Sequence, residues 1–404
     1  MRFKRFFNVF LLVSIFGGFC SLFGQVQKID SLNLLLSQAQ TDSTRIELLY
    51  RIGSAYVDVD NDSSIVYFKK TISLGASIPY PLYEYSTLRS LGHAYIWKKD
   101  QFQLGLKCLN RAYELASVEK DTLEQARILS QIGCGYHKKG QRGEALKYFL
   151  WETELSEKTN RPLVSCIANI NMGLMLAESE ECEKANGYYS KALEFAKEAK
   201  SVTYEALILN NIASIYLEKK EYETASQYLT EAEMLILEEE NYQILFLINI
   251  SKGEISVKQG DPIKGISFFE KAREYNKLIG SKENEALVLF YLANAFKKNG
   301  QNHKSTEVAE KALKIYDDIG LVSNHEELYF IIAENYDLIG NYSKAMEYYK
   351  ELSGLYRKEE KTKETKEIAK LQLDYEIKKK DNDILQLQNK DLQNEKALIK
   401  AKSK

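Results

Sequence analysis

The chain has 404 residues, a formal net charge of −2 and only 4 prolines. Its nearly balanced charge excludes the strongly basic surface typical of nucleic-acid-binding proteins, so we expect no nucleic-acid partner. The length permits two or three ordinary domains. Tyrosine is abundant, with 27 residues, and tryptophan is scarce, with 2. This composition favours helices with packed aromatic side chains over a sheet-rich domain.

Residues 1–24 have the pattern of a secretory signal peptide. Arg2, Lys4 and Arg5 precede an apolar run over residues 6–23, and the small residue Gly24 follows. This order predicts cleavage near Gly24 and an exported, periplasmic protein that begins at Gln25. The alternative is a membrane-anchored protein, because an uncleaved apolar run of this length could just span a bilayer.

Residues 25–45 are predicted to form an N-terminal capping helix, and residues 46–354 contain eight similar units. A small residue, which we call the marking residue, stands at the same point in each unit. Successive marking residues are 40 positions apart from Gly133 onward, and the two earlier intervals are 39 and 41. Such regular spacing indicates a repeat architecture. The marking residues are Gly53, Gly92, Gly133, Gly173, Ala213, Gly253, Ala293 and Ala333.

Each unit has the pattern of a helical hairpin. A ring such as Tyr136 or Tyr216 follows three residues after the marking residue, and a second small residue such as Ala185 or Ala225 follows about twelve after it. Small residues let two helices approach closely, while rings fill the space beside them. A single hairpin cannot bury its apolar face, so the units are predicted to stack.

This pattern resembles the tetratricopeptide repeat. The 40-residue period exceeds the usual length of that repeat. The resemblance is completed by an alanine near the end of four units, which we call the closing alanines: Ala192, Ala232, Ala272 and Ala312. The resemblance implies an all-α fold, in which the hairpins form a right-handed superhelical solenoid. It also implies that the first helix of each unit lines the concave surface.

Residues 355–404 are predicted to form a long C-terminal helix. The segment lacks glycine and proline, and Leu385, Leu392 and Ile399 recur every seven residues. This partial heptad pattern is typical of a coiled coil, so the tail could join two copies of the chain as a homodimer. Together with the front segment "IDSLNLLLSQAQTDSTRIELLYRIGSAY", it resembles the exported sensor region of Bacteroidetes-type membrane histidine kinases and regulators. That resemblance implies such a kinase or regulator as the partner.

The sequence gives no indication of catalysis. His93, His137, His303 and His325 have no partner at metal-ligand spacing on one helix, and no phosphate-binding loop or nucleophile motif is present. The four cysteines of the mature chain form no C-x-x-C pair. We therefore expect a protein without enzymatic activity, metal or cofactor.

A concave binding groove is the candidate site. Asn171 and Asn211 stand two residues before the marking residue, where an amide could hydrogen-bond an extended peptide. Apolar residues at nearby positions predict that the middle of the groove is apolar. The alternatives are that the asparagines only tolerate a solvated helix face, and that the apolar residues belong to the core. The candidate residues are Ile167, Ile170, Asn171, Leu207, Asn210, Asn211, Leu247, Ile250, Leu287, Phe290 and Phe330.

The expected function is binding of a protein or peptide partner. One hypothesis is an exported sensing module that relays a signal through its C-terminal helix. Two alternatives remain open: a structural or assembly scaffold of a cell-envelope complex, and a chaperone-like peptide-binding adaptor.

Overall fold

The computed structural model describes residues 22–57, 60–76, 81–96, 101–321 and 324–355. The regular structure in these ranges is entirely α-helical and comprises 17 helices. In chain order they are α1 (Leu22–Gln38), α2 (Asp42–Tyr56), α3 (Asn61–Gly75), α4 (Pro81–Ile96), α5 (Phe102–Val118), α6 (Thr122–Lys138), α7 (Arg142–Ser156), α8 (Pro162–Glu178), α9 (Cys182–Glu198), α10 (Val202–Glu218), α11 (Tyr222–Ile236), α12 (Tyr242–Lys258), α13 (Pro262–Ile279), α14 (Lys282–Lys298), α15 (Asn302–Ile319), α16 (His325–Leu338) and α17 (342–355).

The described helices pair into eight consecutive hairpins, from α2 with α3 to α14 with α15, and finally α16 with α17 through the stacked rings of Tyr336 and Tyr348. The first helix of each hairpin, which we call the inner helix, also contacts the inner helices of the neighbouring hairpins. The second, or outer, helix lies between its own inner helix and the next one. The stack of helical hairpins predicted from the sequence is therefore confirmed.

Left-handed turn residues end the helices at intervals of twenty positions. After α8, the Glu180 amide donates to the Ala177 carbonyl at 3.0 Å, and the Glu181 amide donates to the Leu176 carbonyl at 2.9 Å. This pair of bonds is the Schellman motif, which requires a positive φ at the residue after the C-cap, here Glu180 with a φ of 62°. Twelve turns share that sign of φ, at Lys120, Gly140, Asn160, Glu180, Lys200, Lys220, Glu240, Gly260, Gly280, Gly300, Gly320 and Gly340.

At several marking residues, the residue is small because a ring of the outer helix lies against it. A Cβ added at Gly173 would lie 2.5 Å from the Tyr189 ring, and one at Gly253 would lie 2.4 Å from the Phe269 ring. Tyr189 is completely buried, and Phe269 is 1% exposed. The close approach of the two helices thus depends on the missing methyl group.

Inner and outer helices differ in how they are buried. The outer helix α11 buries one stripe, formed by Ala225, Leu229, Ala232 and Ile236, as an amphipathic surface helix does. The inner helix α10 buries every residue from 206 to 215. The core therefore follows the inner helices along the stack.

The N-terminal cap differs from its predicted limits. α1 ends at Gln38, and α2 begins at Asp42, where the Thr41 hydroxyl accepts a bond from the Thr44 amide. The first hairpin thus begins a few residues before the predicted position 46. α1 covers the start of the stack with Leu32, which packs in a cluster with Leu48 and Ile52.

Two predicted elements, the signal peptide up to residue 21 and the C-terminal helix from residue 356, lie outside the described residues. Among the helices that are described, none has the length and apolar character needed to cross a membrane.

Candidate functional site on the inner helices

The predicted groove residues lie on the inner helices, but most of them are not exposed. Leu287 and Phe330 are partly exposed, and the remaining nine have relative exposures from 0% to 5%. In this structure those nine belong to the core, which is the alternative interpretation left open by the sequence. They are Ile167, Ile170, Asn171, Leu207, Asn210, Asn211, Leu247, Ile250 and Phe290.

Asn171 links three helices. Its amide nitrogen donates to the Ser130 hydroxyl of α6 at 3.1 Å and to the Glu152 carboxylate of α7 at 3.0 Å. Its carbonyl oxygen is buried and has no hydrogen-bond partner among the described residues. The two bonds of the nitrogen fix the orientation of the Asn171 amide, and its carbonyl oxygen remains an unsatisfied acceptor.

Two further amides lie on the next inner helix, α10. The Asn210 carbonyl oxygen accepts a bond from the Ser251 hydroxyl of α12 at 2.9 Å. The Asn210 amide nitrogen and the Asn211 carbonyl oxygen are buried without partners in the described part of the chain. Leaving such a group unsatisfied costs about 1–3 kcal/mol. Neighbouring inner helices thus present one unpaired donor and two unpaired acceptors, counting that of Asn171.

Charged residues occupy the C-terminal ends of the inner helices. On α8, Glu178 lies 2.8 Å from His137 and 3.3 Å from Arg142. Lys258 Nζ lies 3.0 Å from a Glu218 oxygen of the preceding inner helix. These side-chain contacts, which we call the rim pairs, connect neighbouring repeats at the C-terminal ends of the inner helices.

Two charged residues from distant repeats also influence each other's pKa. Burial lowers the pKa of Lys138 on α6 to about 8, and the Glu283 carboxylate on α14 raises it. Burial raises the pKa of Glu283, and Lys138 lowers it. These residues lie four repeats apart in the chain, yet each affects the ionisation of the other. Both side chains keep some contact with solvent.

Sequence reasoning missed Ser130, Glu152 and Ser251 as partners of the inner amides. A signal for Glu152 existed, because it stands nineteen residues after Gly133, at the position of the closing alanines. Ser130 and Ser251 gave no signal, because serine is common on helix surfaces and its partner lies about 41 positions away.

The described cysteines lie where burial disfavours their ionised form. Burial raises the pKa of the four cysteine thiols in the described residues, which disfavours the reactive thiolate. The described ranges contain no group of three or more His, Cys, Asp or Glu residues that could hold a metal ion.

Two family models match parts of the chain. Residues 163–233 match the tetratricopeptide repeat, and residues 264–382 match soluble NSF attachment protein, SNAP. No curated protein matches the chain significantly.

Several solved structures share the architecture. A Rap protein complexed with competence and sporulation factor has a TM-score of 0.55 at 16% identity, covering 83% of this chain and 98% of that one. The apo form of the quorum sensor NprR from B. thuringiensis has a TM-score of 0.56 at 18% identity, covering 73% and 82%. Aspartyl phosphate phosphatase F from Bacillus subtilis has a TM-score of 0.54 at 16% identity, covering 83% and 92%. The chain therefore has the fold of a tetratricopeptide-like helical-repeat solenoid.

Proposed function

We propose that this chain is a non-catalytic binding module whose inner helices bind an extended peptide segment of a partner. The observation that carries the proposal is the set of unpaired amide atoms on α8 and α10, belonging to Asn171, Asn210 and Asn211. A peptide backbone alternates N–H donors and C=O acceptors. Such a backbone could satisfy the two unpaired acceptors and the unpaired donor together.

The solved neighbours support a ligand of this kind. The Rap protein was solved in complex with competence and sporulation factor, and NprR is described as a quorum sensor. Both share the overall fold of this chain, with TM-scores of 0.55 and 0.56. Because the identities are 16% and 18%, the similarity supports the class of ligand and leaves its sequence open.

Binding requires the inner surface to open, because the amides are buried in the described state. The rim pairs at the helix ends are the contacts that would separate first. These pairs are largely buried, since the side chains of Glu178, Lys258 and Glu218 are 7%, 19% and 22% exposed. Opening them therefore costs more than the roughly 1 kcal/mol of a surface pair, and the bound peptide must replace these contacts.

The test uses a phage-displayed library of short random peptides selected on the full chain. Replacing Asn211 by alanine removes one inner acceptor, and we expect a selected peptide to bind about tenfold more weakly, as for the loss of one hydrogen bond. Fluorescence anisotropy with the labelled peptide measures the change.

Asn110→Ala provides the matched control, since Asn110 lies exposed on the outer helix α5. Binding to this variant should equal binding to the wild type, and both variants should melt within a few degrees of it. Equal affinity of the two variants, or failure to select any peptide, would contradict the proposed site.

The finer features of the proposal come from the sequence. The basic and apolar start at Arg2–Phe23 supports export to the periplasm. The heptad pattern of residues 355–404 supports a homodimer or a relay helix that leads to a membrane histidine kinase or regulator.

A further inference from the structure

Glu152 breaks the repeat pattern at a joint between hairpins. The corresponding position carries alanine in the four following repeats, at Ala192, Ala232, Ala272 and Ala312, and all of these are completely buried. Glu152 is completely buried as well. The larger, ionisable side chain therefore occupies a place where the fold needs only a methyl group.

The surroundings of Glu152 consist of neutral polar groups. One carboxylate oxygen accepts the 3.0 Å bond from Asn171 on α8, and the other has no hydrogen-bond partner among the described residues. α6, on the opposite side, contributes the Ser130 hydroxyl and the Cys134 thiol. Of these groups only Cys134 can titrate, and burial raises the pKa of its thiol, so it stays neutral.

An ionised carboxylate would be poorly compensated at this place. Burial raises the pKa of Glu152 to about 8, while the Asn171 and Ser130 side chains lower it. In the unfolded chain the side chain ionises near its ordinary value of 4.5. Between these two pH values the folded state keeps a proton that the unfolded state has lost, so stability falls as the pH rises and levels off above about 8.

We propose that Glu152 is a proton-controlled positioning residue for the peptide-binding amide of Asn171. With the proton bound, Glu152 closes the contact of α6, α7 and α8 and fixes the Asn171 amide. When Glu152 loses the proton, its buried charge draws water and separates α8 from α6, which loosens this part of the inner surface. The positioning role rests on the proposed function, whereas the proton-controlled contact does not.

Hydrogen exchange of the full chain, measured by mass spectrometry at about pH 6 and about pH 9 and corrected for the intrinsic rate, tests the inference. In the wild type the protection of α8 amides should fall at the higher pH by tenfold or more, since each pH unit between the two pKa values changes the folding equilibrium about tenfold. α2 serves as the internal reference, because its contacts are with α1, α3 and α4 and not with α6, α7 or α8. Its protection should change less.

Two variants isolate the carboxyl group. Glu152→Gln keeps an acceptor for Asn171 and cannot ionise, so its α8 protection and thermal stability should lose the pH dependence seen in the wild type. Glu152→Ala carries the residue of the following repeats, which makes it a folded second variant, and it should also lose the dependence. It should further weaken a selected peptide, whereas Glu152→Gln should retain binding.

Unchanged pH dependence in both variants would overturn the proton-controlled contact. Equal peptide binding by wild type, Glu152→Gln and Glu152→Ala would overturn the positioning role. If no peptide is selected at all, the proposed function fails, yet the exchange and melting profiles still decide whether Glu152 controls the α6–α7–α8 contact.

Discussion

The absence of one methyl group at Gly173 decides how closely α8 and α9 approach. An added Cβ would lie 2.5 Å from the fully buried ring of Tyr189. This clash could be removed only if the ring moved. On the same hairpin, a Cβ at Gly187 would meet nothing within 4 Å. Identical substitutions at these two glycines thus have opposite physical consequences.

We expect Gly173→Ala to destabilise the chain by about 1–3 kcal/mol, because it overpacks a filled contact. Gly187→Ala should stabilise it by about 0.5–1 kcal/mol, since alanine restricts the unfolded chain in a helix with free space. Urea unfolding followed by circular dichroism measures both. Equal midpoints for the two variants would show that the assigned contact between α8 and α9 is wrong.

At the residue scale the sequence predicted packing better than polar pairing. The marking glycines, the rings and the second small residues follow a fixed spacing, because the same hairpin contact is formed in each unit. Asn171 was identified as an inner residue, but its bonds to Ser130 and Glu152 join three helices. A pairing of this kind depends on side-chain direction and not on periodicity, so it could not be predicted.

At the scale of the element, the difference between inner and outer helices explains the limited site prediction. In α11 the buried stripe follows helical periodicity, and the sequence reveals it directly. In α8 the buried run covers residues 164–175 without interruption, more than three turns, so no face can be recognised as exposed. The sequence shows which positions of successive inner helices are equivalent. It does not show how deeply an inner helix is buried.

The C-terminal element carries the prediction that concerns assembly. Truncation after Gly354 removes the heptad positions Leu385, Leu392 and Ile399, and we expect the particle mass to change from dimer to monomer because the apolar seam is lost. Light scattering after size-exclusion chromatography measures the mass. A full-length variant with Leu385 and Leu392 replaced by aspartate serves as the control for chain length and should also be monomeric. An unchanged mass in both would exclude the tail as the dimer contact.

At the scale of the whole molecule, residues from distant repeats affect each other's ionisation. Lys138 and Glu283 influence each other's pKa although four repeats separate them. The number of hairpins and their 40-residue period could be read from the sequence. The small rotation between successive hairpins could not be read from the sequence, because it results from many packing contacts that each differ slightly from one unit to the next. This rotation determines which distant repeats come near each other.

Export is the prediction that belongs to the whole chain. We expect protein recovered from the envelope fraction to begin at Gln25, as shown by N-terminal sequencing. Cleavage there would shorten only the first turn of α1 and would keep Ile29 and Leu32, which are 4% and 3% exposed. The cap of the stack would therefore survive processing. Cytosolic protein with an intact Met1 would contradict the prediction.

The twenty-residue spacing of the left-handed turns has a consequence for how such a gene can change. Lys200 and Glu240 have φ values of 52° and 49° and stand at equivalent points of successive hairpins. Suppose that forty consecutive codons are lost or duplicated at any point within the repeats. The two residues that become neighbours at the junction then occupy positions that are also adjacent within an ordinary unit. The recombined chain keeps every turn, ring and small residue in phase. Unequal crossing-over can therefore change the length of the solenoid in single steps, each of which yields a complete interface, because a hairpin contacts only its neighbours.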